Sequence, residues 1–213
     1  MTAVKPRPDF SFENKYDGAI VCGVDEVGRG PLAGPVVAAA VYIPPASRGH
    51  PVWREVRDSK QLSPARRDVL CVVIEQQSVW AIGEAVIAEI DMLNILNATF
   101  LAMRRAVEKL PLEQPVLLVD GNRLPKKDWP WRSETIVKGD AKSVSIAAAS
   151  ILAKVARDKH MALLAKQFSA YGWGDNAGYG TPAHLQALAD YGATPHHRTS
   201  FAPVRDVIIK KAG

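Results

Sequence analysis

The chain has 213 residues, and its 27 Lys and Arg against 22 Asp and Glu give a formal charge of +5. Apolar residues make up 47% and charged residues 23%, which excludes a disordered chain and predicts one domain with an appendage. Two cysteines exclude a disulfide scaffold, and no apolar run approaches the roughly 20 residues of a membrane helix. We therefore expect a cytoplasmic protein with no membrane partner, whose mild basicity permits a polyanionic one.

The first half of the chain predicts three strands and two helices. Apolar runs at 19–24, 36–43 and 79–87 are typical of buried strands. A helix starts at the N-cap Ser63, with Pro64 in its first turn, and runs to about residue 77. Asp91 predicts the N-cap of a second helix. Its apolar positions recur every three or four residues: Leu93, Leu96, Phe100, Met103, Val107 and Leu110.

The second half adds two short strands, at 116–119 and 135–137, and a long helix at 144–166. The small residues at 147–150 predict that this helix lies very close to a neighbour. Residues 171–213 differ in character, with aromatics, glycines, histidines and two short helical patches. Five strands interleaved with three clear helices predict an α/β fold, a mixed five-stranded sheet flanked by helices with a helical C-terminal appendage. The predicted boundaries are 1–17, 18–170 and 171–213.

Four carboxylates stand where predicted strands end. Asp25 and Glu26 follow the first strand, Asp120 follows the fourth, and Asp140 follows the fifth after a short polar step. Sites in open α/β sheets form at the carboxyl ends of strands. Half-buried carboxylates that repel one another are stabilised by a cation, and ligands that are all oxygen favour Mg²⁺ or Mn²⁺. Each one alone is also typical of an ordinary turn or cap, although the adjacent pair argues against that alternative.

A glycine-rich turn, Gly28-Arg29-Gly30-Pro31, follows the first carboxylates. Its glycines allow the backbone to approach a ligand and to present N–H groups, and the arginine suits a phosphate. No Gly-Lys-Ser/Thr follows, so the turn is not a P-loop. A tight structural turn explains these four residues equally well.

Residues 23–34, GVDEVGRGPLAG, resemble the signature of the type 2 ribonucleases H, the bacterial ribonuclease HII family. The resemblance covers roughly residues 18–208 in the family's order. It continues through 58–62, 90–95, 119–122, 137–140, 147–158, 178–181 and 196–204.

The resemblance implies an RNase H-like fold over 18–170, with 171–213 completing the substrate site. It implies an endoribonuclease that cuts on the 5′ side of ribonucleotides in RNA–DNA hybrids, and of single ribonucleotides embedded in duplex DNA. Metal-assisted attack of water would leave a 3′-hydroxyl and a 5′-phosphate, with two Mg²⁺ or Mn²⁺ ions in the substrate complex. The catalytic and metal-binding residues would be Asp25, Glu26, Asp120 and Asp140.

The resemblance also assigns substrate contacts. The backbone of Gly28, Arg29 and Gly30 would read the ribose 2′-OH, and Tyr179 would pack against the sugar at the junction. Ser59 and Lys60 lie in a segment near the substrate backbone, where the lysine would contact phosphate. The chain departs from the family at Ala177, where lysine is frequent, which weakens one expected phosphate contact and leaves Tyr179 in place. The polar extension at 1–17 has no counterpart in the resemblance and no assigned role.

Two other function classes stay open at this stage. One is a resolvase or transposase on a similar sheet, which the glycine turn and residues 178–180 argue against. The other is a non-catalytic nucleic-acid-binding module, which has no need of four carboxylates that repel a polyanion. The expected partners are RNA–DNA hybrid and ribonucleotide-containing duplex DNA. The chain is expected to be a monomer, and a sliding clamp stays open as a partner.

Other conspicuous residues favour structural roles. His196 and His197 are interpreted as packed or surface histidines, because metal-bound carboxylates suffice for hydrolysis. Three tryptophans are interpreted as core or rim packing. The basic residues of the long helix, Arg157 among them, are interpreted as a solvated face.

Overall fold

The computed structural model describes residues 7–212, and a five-stranded sheet forms its centre. The sheet order is β3-β2-β1-β4-β5; β1, β2 and β3 pair antiparallel, and β1, β4 and β5 pair parallel. The predicted mixed sheet is therefore confirmed. The strands are β1 Val21–Val27, β2 Val36–Tyr42, β3 Val79–Ala85, β4 Val116–Asp120 and β5 Ser133–Ile136.

Helices cover both faces of the sheet. The long helices are α1 Pro64–Gln77, α2 Ile87–Glu108 and α3 Val144–Gln167, and the C-terminal ones are α4 Trp173–Asn176, α5 Pro182–Tyr191 and α6 Ala202–Ala212. One apolar core lies between the sheet and α1 with α3, and a second lies between the sheet and α2. Within 7–212, no helix is both long and apolar enough to cross a membrane.

Helix α3 lies almost in contact with the backbone of β1. A Cβ atom on Gly23 would stand 2.2 Å from the backbone nitrogen of Ile146, so only glycine fits at this crossing. The small residues Ala147, Ala148 and Ala149 are fully buried, as their size predicts. This close packing fixes the start of α3, and with it the preceding loop, beside the end of β4.

Helix α2 starts earlier than predicted. It begins at Ile87, where the carboxylate of Glu89 accepts a hydrogen bond from the backbone N–H of the N-cap residue Val86 at 3.0 Å. Asp91 has a different role from the expected cap. It accepts hydrogen bonds from the backbone and hydroxyl groups of Thr199 and Ser200, at 2.6–3.0 Å. Asp91 thus ties α2 to the C-terminal part.

The described part of the N-terminal extension, residues 7–17, packs onto the loop that precedes α3. Asp9 forms a backbone bridge with Ser143. The carboxylate of Glu13 is 2% exposed and accepts hydrogen bonds from the hydroxyls of Ser143 and Ser145, at 2.6 and 2.7 Å. A segment with no role in the sequence reading therefore supports the loop that carries Asp140.

Candidate active site

Asp25 and Glu26 lie inside β1, whereas the sequence predicts a strand that ends at residue 24. The parallel pairing of β1 with β4 does stop there, at Val24 opposite Val119. The antiparallel pairing with β2 continues to the end of β1. The two carboxylates therefore remain at the open carboxyl edge of the parallel strands, and β2 holds their backbone in place.

Strand alternation distributes the carboxylates over both faces of this edge. Asp25 and Asp120 face the α3 side and Glu26 faces α2, because successive side chains of a strand alternate. Asp25 is 6% exposed and accepts a hydrogen bond from the backbone N–H of Glu26 at 2.7 Å. Asp120 accepts one from the N–H of Gly139 at 2.6 Å. That bond draws the loop carrying Asp140 to the end of β4.

Burial and mutual repulsion disfavour the charged forms of these groups. Burial, followed by the charges of Glu26, Asp120 and Asp140, raises the pKa of Asp25 well above its usual value. Burial also raises the pKa of Glu26, although Arg29 at 3.4 Å opposes this. Burial and the charge of Asp120 raise the pKa of Asp140 to about 6. A bound cation would relieve this repulsion.

The donor chemistry of the site suits a hard divalent cation. All four groups are carboxylates, and oxygen ligands favour Mg²⁺ or Mn²⁺ over zinc. Within residues 7–212, no three His, Cys, Asp or Glu side chains already form a group able to hold a metal ion. Mg²⁺ at nucleotide sites is usually held by one or two carboxylates together with phosphate oxygens, a donor set that these carboxylates can supply in part.

The glycine turn is held from inside the protein by a buried arginine, Arg198, which is 0% exposed. Its guanidinium donates hydrogen bonds to the carbonyls of Gly28, Arg29 and Gly34, at 2.6, 3.0 and 2.8 Å. The C=O and N–H of a trans peptide point in opposite directions. Because the carbonyls of residues 28 and 29 point inward, the N–H groups of Arg29 and Gly30 point outward.

A second buried arginine, Arg157, joins the glycine turn to the C-terminal part. It is 1% exposed and donates to the carbonyls of Ala33 and Ala177, at 3.0 and 2.9 Å. Tyr179 follows closely, 47% exposed, and a Cβ atom on Gly30 would lie 3.3 Å from its ring. The outward N–H groups and the tyrosine ring therefore share one surface.

Two grooves flank the carboxylates, and basic side chains line both. One, of about 490 Å³, contains Glu26, Arg29, Asp120 and Arg123. The other, of about 830 Å³, reaches Asp140 on the opposite side. Its basic lining residues are Arg7, Arg57, Lys60 and Lys138. A polyanion can therefore lie across an acidic centre with positive charge on either side.

Comparison with known proteins identifies the family. The family model described as ribonuclease HII matches residues 22–204. This chain belongs to the ribonuclease HII family. It is 53% identical over 207 residues to ribonuclease HII of Rhodospirillum rubrum, covering 96% of this chain and 94% of that protein.

Solved structures agree with this assignment. Ribonuclease H2 from Pyrococcus horikoshii superposes with a TM-score of 0.74 at 27% identity, covering 89% of this chain and 97% of that one. The chain is also similar to a structure titled as the PCNA:RNase HII complex from Archaeoglobus fulgidus, with a TM-score of 0.67 at 25% identity, covering 85% and 95%.

Membership of the ribonuclease HII family makes the chain an RNase H, a metal-dependent nuclease that acts on RNA–DNA substrates. The resemblance predicted from residues 23–34 is confirmed. The resolvase and the non-catalytic binding module are therefore both set aside.

Ser59 and Lys60 differ in position. Lys60 is exposed in the groove beside Asp140, and its charge opposes the rise in the pKa of that carboxyl. Ser59 is 4% exposed, and its hydroxyl is hydrogen-bonded to that of Ser150 on α3, at 2.9 Å. Its side chain therefore faces the core, because the short 3-10 helix at 59–61 turns it inward, and the expected substrate contact is left to its backbone. Asp58 caps this helix through the N–H of Lys60.

The histidines and tryptophans are packing residues. His197 is 1% exposed, and burial lowers its pKa to about 4. Its Nε2 lies 3.1 Å from Nε2 of His184, which also accepts a hydrogen bond from the indole of Trp173. Trp129 and Trp131 contact each other edge to face, with ring centroids 5.2 Å apart.

The sequence reading missed both buried arginines. Arg157 lies on the polar side of α3 by helical spacing, so a solvated position was expected, and the structure contradicts that expectation. Arg198 lies within the family-like segment 196–204, which was the one available signal. Helical spacing does not show that the C-terminal part covers that side of α3.

Proposed function

We propose that this ribonuclease HII hydrolyses the phosphodiester on the 5′ side of ribonucleotides, both in RNA–DNA hybrids and singly embedded in duplex DNA. The observation that carries the proposal is the outward orientation of the Arg29 and Gly30 N–H groups, fixed by Arg198, beside Tyr179. Two fixed donors next to an exposed aromatic ring suit a ribose, whose 2′-oxygen accepts hydrogen bonds and whose face packs on the ring.

This arrangement supports selection against all-DNA substrates. A deoxyribose leaves the N–H donors of Arg29 and Gly30 unpaired in the complex, and unpaired polar groups at a contact reduce affinity strongly. Tyr179 makes no such distinction by itself, since both sugars present an apolar face. The backbone of residues 28–30 therefore decides which nucleotide is cut, and the tyrosine positions its sugar.

Asp25, Glu26, Asp120 and Asp140 would hold the metal, two Mg²⁺ or Mn²⁺ ions in the substrate complex. When bound, such ions activate a water molecule and neutralise charge on the leaving 3′-oxygen, giving a 3′-hydroxyl and a 5′-phosphate. The chain's contribution is positioning. The N–H of Gly139 orients Asp120, and β2 holds the backbone of Asp25 and Glu26.

The surrounding parts serve the same reaction in this proposal. Lys60 contacts a substrate phosphate, and residues 171–213 complete the substrate site of the catalytic domain, 18–170, through Tyr179. The enzyme acts as a cytoplasmic monomer. A sliding clamp is a proposed partner, suggested by the RNase HII of Archaeoglobus fulgidus, whose structure is titled as a complex with PCNA.

The test is a duplex DNA with one embedded ribonucleotide, incubated with Mg²⁺ or with chelator beside an all-DNA duplex and an Asp25→Asn variant. We expect a metal-dependent nick on the 5′ side of the ribonucleotide, absent from the all-DNA duplex and from the variant. Cleavage of the all-DNA duplex at a similar rate would contradict the selection mechanism. A nick on the 3′ side would contradict the proposed register of the substrate.

A further inference from the structure

The groove that contains Glu26 does not end at the carboxylates. It continues along α2 into a wider part of about 820 Å³, bounded by the segment between β4 and β5. The inner and outer parts share Leu96, Phe100 and Arg123 as lining residues. We call the outer part the α2 groove. The α2 groove therefore adjoins the groove that contains Glu26 and Asp120.

The α2 groove is strongly basic and has an apolar floor. Its charged lining is four cations against one acid, Asp128. Arg104 pairs with Glu108 on its own helix. Within residues 7–212, the exposed side chains of Arg123, Lys126 and Lys127 make no ion pair or hydrogen bond. The apolar floor consists of Leu96, Phe100, Leu101, Leu124, Pro125 and Trp129.

This combination matches a nucleic-acid backbone. Sugars pack on apolar surface, and each phosphate carries one negative charge that a nearby lysine or arginine neutralises. We infer that the α2 groove binds the phosphate backbone of the substrate on one side of the cleavage site, beyond the nucleotides that touch Tyr179 and the carboxylates. The inference rests on the proposed function, and the continuity of the two grooves favours the substrate over an acidic protein segment.

The test removes three charges and varies the duplex. The variant is Arg123→Ala/Lys126→Ala/Lys127→Ala. The matched control is Lys109→Ala/Lys159→Ala/Lys166→Ala, which removes the same charge from exposed residues outside all of these grooves. KM and kcat are measured on single-ribonucleotide duplexes with long flanks on both sides, and with either flank shortened to a few base pairs. Circular dichroism and thermal melting establish that both variants are folded.

We expect the groove variant to raise KM on long flanks by a larger factor than it lowers kcat. Shortening one of the two flanks should raise the KM of the wild type to that of the variant. The KM of the variant should not change when the same flank is shortened. Three lost phosphate contacts also predict that raising salt from about 50 to 200 mM costs the wild type about 40-fold more affinity than the variant.

Two results would overturn the inference while the proposed function stands. One is a groove variant that matches the control on every duplex. The other is an equal loss on long and short flanks, which would place the three cations at the cleavage site. Failure of the wild type to cut any ribonucleotide-containing duplex would instead refute the proposed function.

Discussion

The burial of Asp140 and the repulsion among the carboxylates predict that one substitution both inactivates and stabilises the enzyme. Asp140→Asn removes a charge and keeps the shape of the side chain. The pKa of Asp140 is raised from 3.8 to about 6. A shift of about 2 units corresponds to about 3 kcal/mol at roughly 1.36 kcal/mol per unit. Because the group is partly solvated, screening reduces this to about 1–2 kcal/mol.

The sign of the pH dependence follows from the raised pKa. Between about pH 4 and pH 6 the folded protein holds the Asp140 proton more tightly than the unfolded chain does, so folding stability falls as the pH rises. Above this pH range, the loss of folding stability caused by the charged Asp140 is complete. Without metal, the free energy of unfolding of the Asp140→Asn variant should therefore exceed that of the wild type by about 1–2 kcal/mol at pH 7.5. Near pH 4 the two free energies should be about equal.

Urea unfolding in chelator measures this difference, with exposed Asp17→Asn as the control variant. Adding Mg²⁺ should stabilise the wild type more than Asp140→Asn, and cleavage by the variant should be lost. A variant that is less stable than the wild type at pH 7.5 in chelator would refute the reasoning. The carboxylate would then be a net stabilising group in the metal-free fold.

Two further predictions concern the glycine turn. Gly28→Ala places a Cβ atom 2.3 Å from a buried guanidinium at φ +94°, and should lower the unfolding free energy by at least about 2 kcal/mol in urea. The matched control is Gly30→Ala, whose Cβ atom meets only the Tyr179 ring and should instead raise KM. Equal destabilisation by the two substitutions would contradict these distances. Arg198→Met leaves inward carbonyls unpaired, at about 1–3 kcal/mol each, and frees the turn to rotate. For the Arg198→Met variant, the ratio of the cleavage rate on ribonucleotide-containing duplex to that on all-DNA duplex should fall. An unchanged ratio in folded protein would count against a positioning role for Arg198.

Element types were predictable from the sequence, whereas their ends were set by neighbouring elements. The apolar run at 19–24 predicts β1 correctly, but acidic residues are poor strand formers and mark an apparent end. The strand continues through Glu26 because β2 pairs with it that far. In α2, Asp91 is a sound cap by residue type. The backbone breaks instead at Asn94, with φ 65°, and its side chain accepts hydrogen bonds from the following turn.

The proximity of the four carboxylates was predictable, because three of them lie at the carboxyl ends of β1 and β4 and the fourth lies in the loop after β5. The turn they adjoin was not, since residues 28–30 explain a structural turn and a substrate contact equally well. The hydrogen bonds of Arg198 favour the substrate contact proposed above. A turn with a purely structural role needs its backbone groups to be hydrogen-bonded, but it does not need them to point in a particular direction. A buried guanidinium that fixes the carbonyls of residues 28 and 29 inward also fixes which N–H groups face outward. In the proposed function, the buried Arg198 therefore specifies the recognition surface from beneath it.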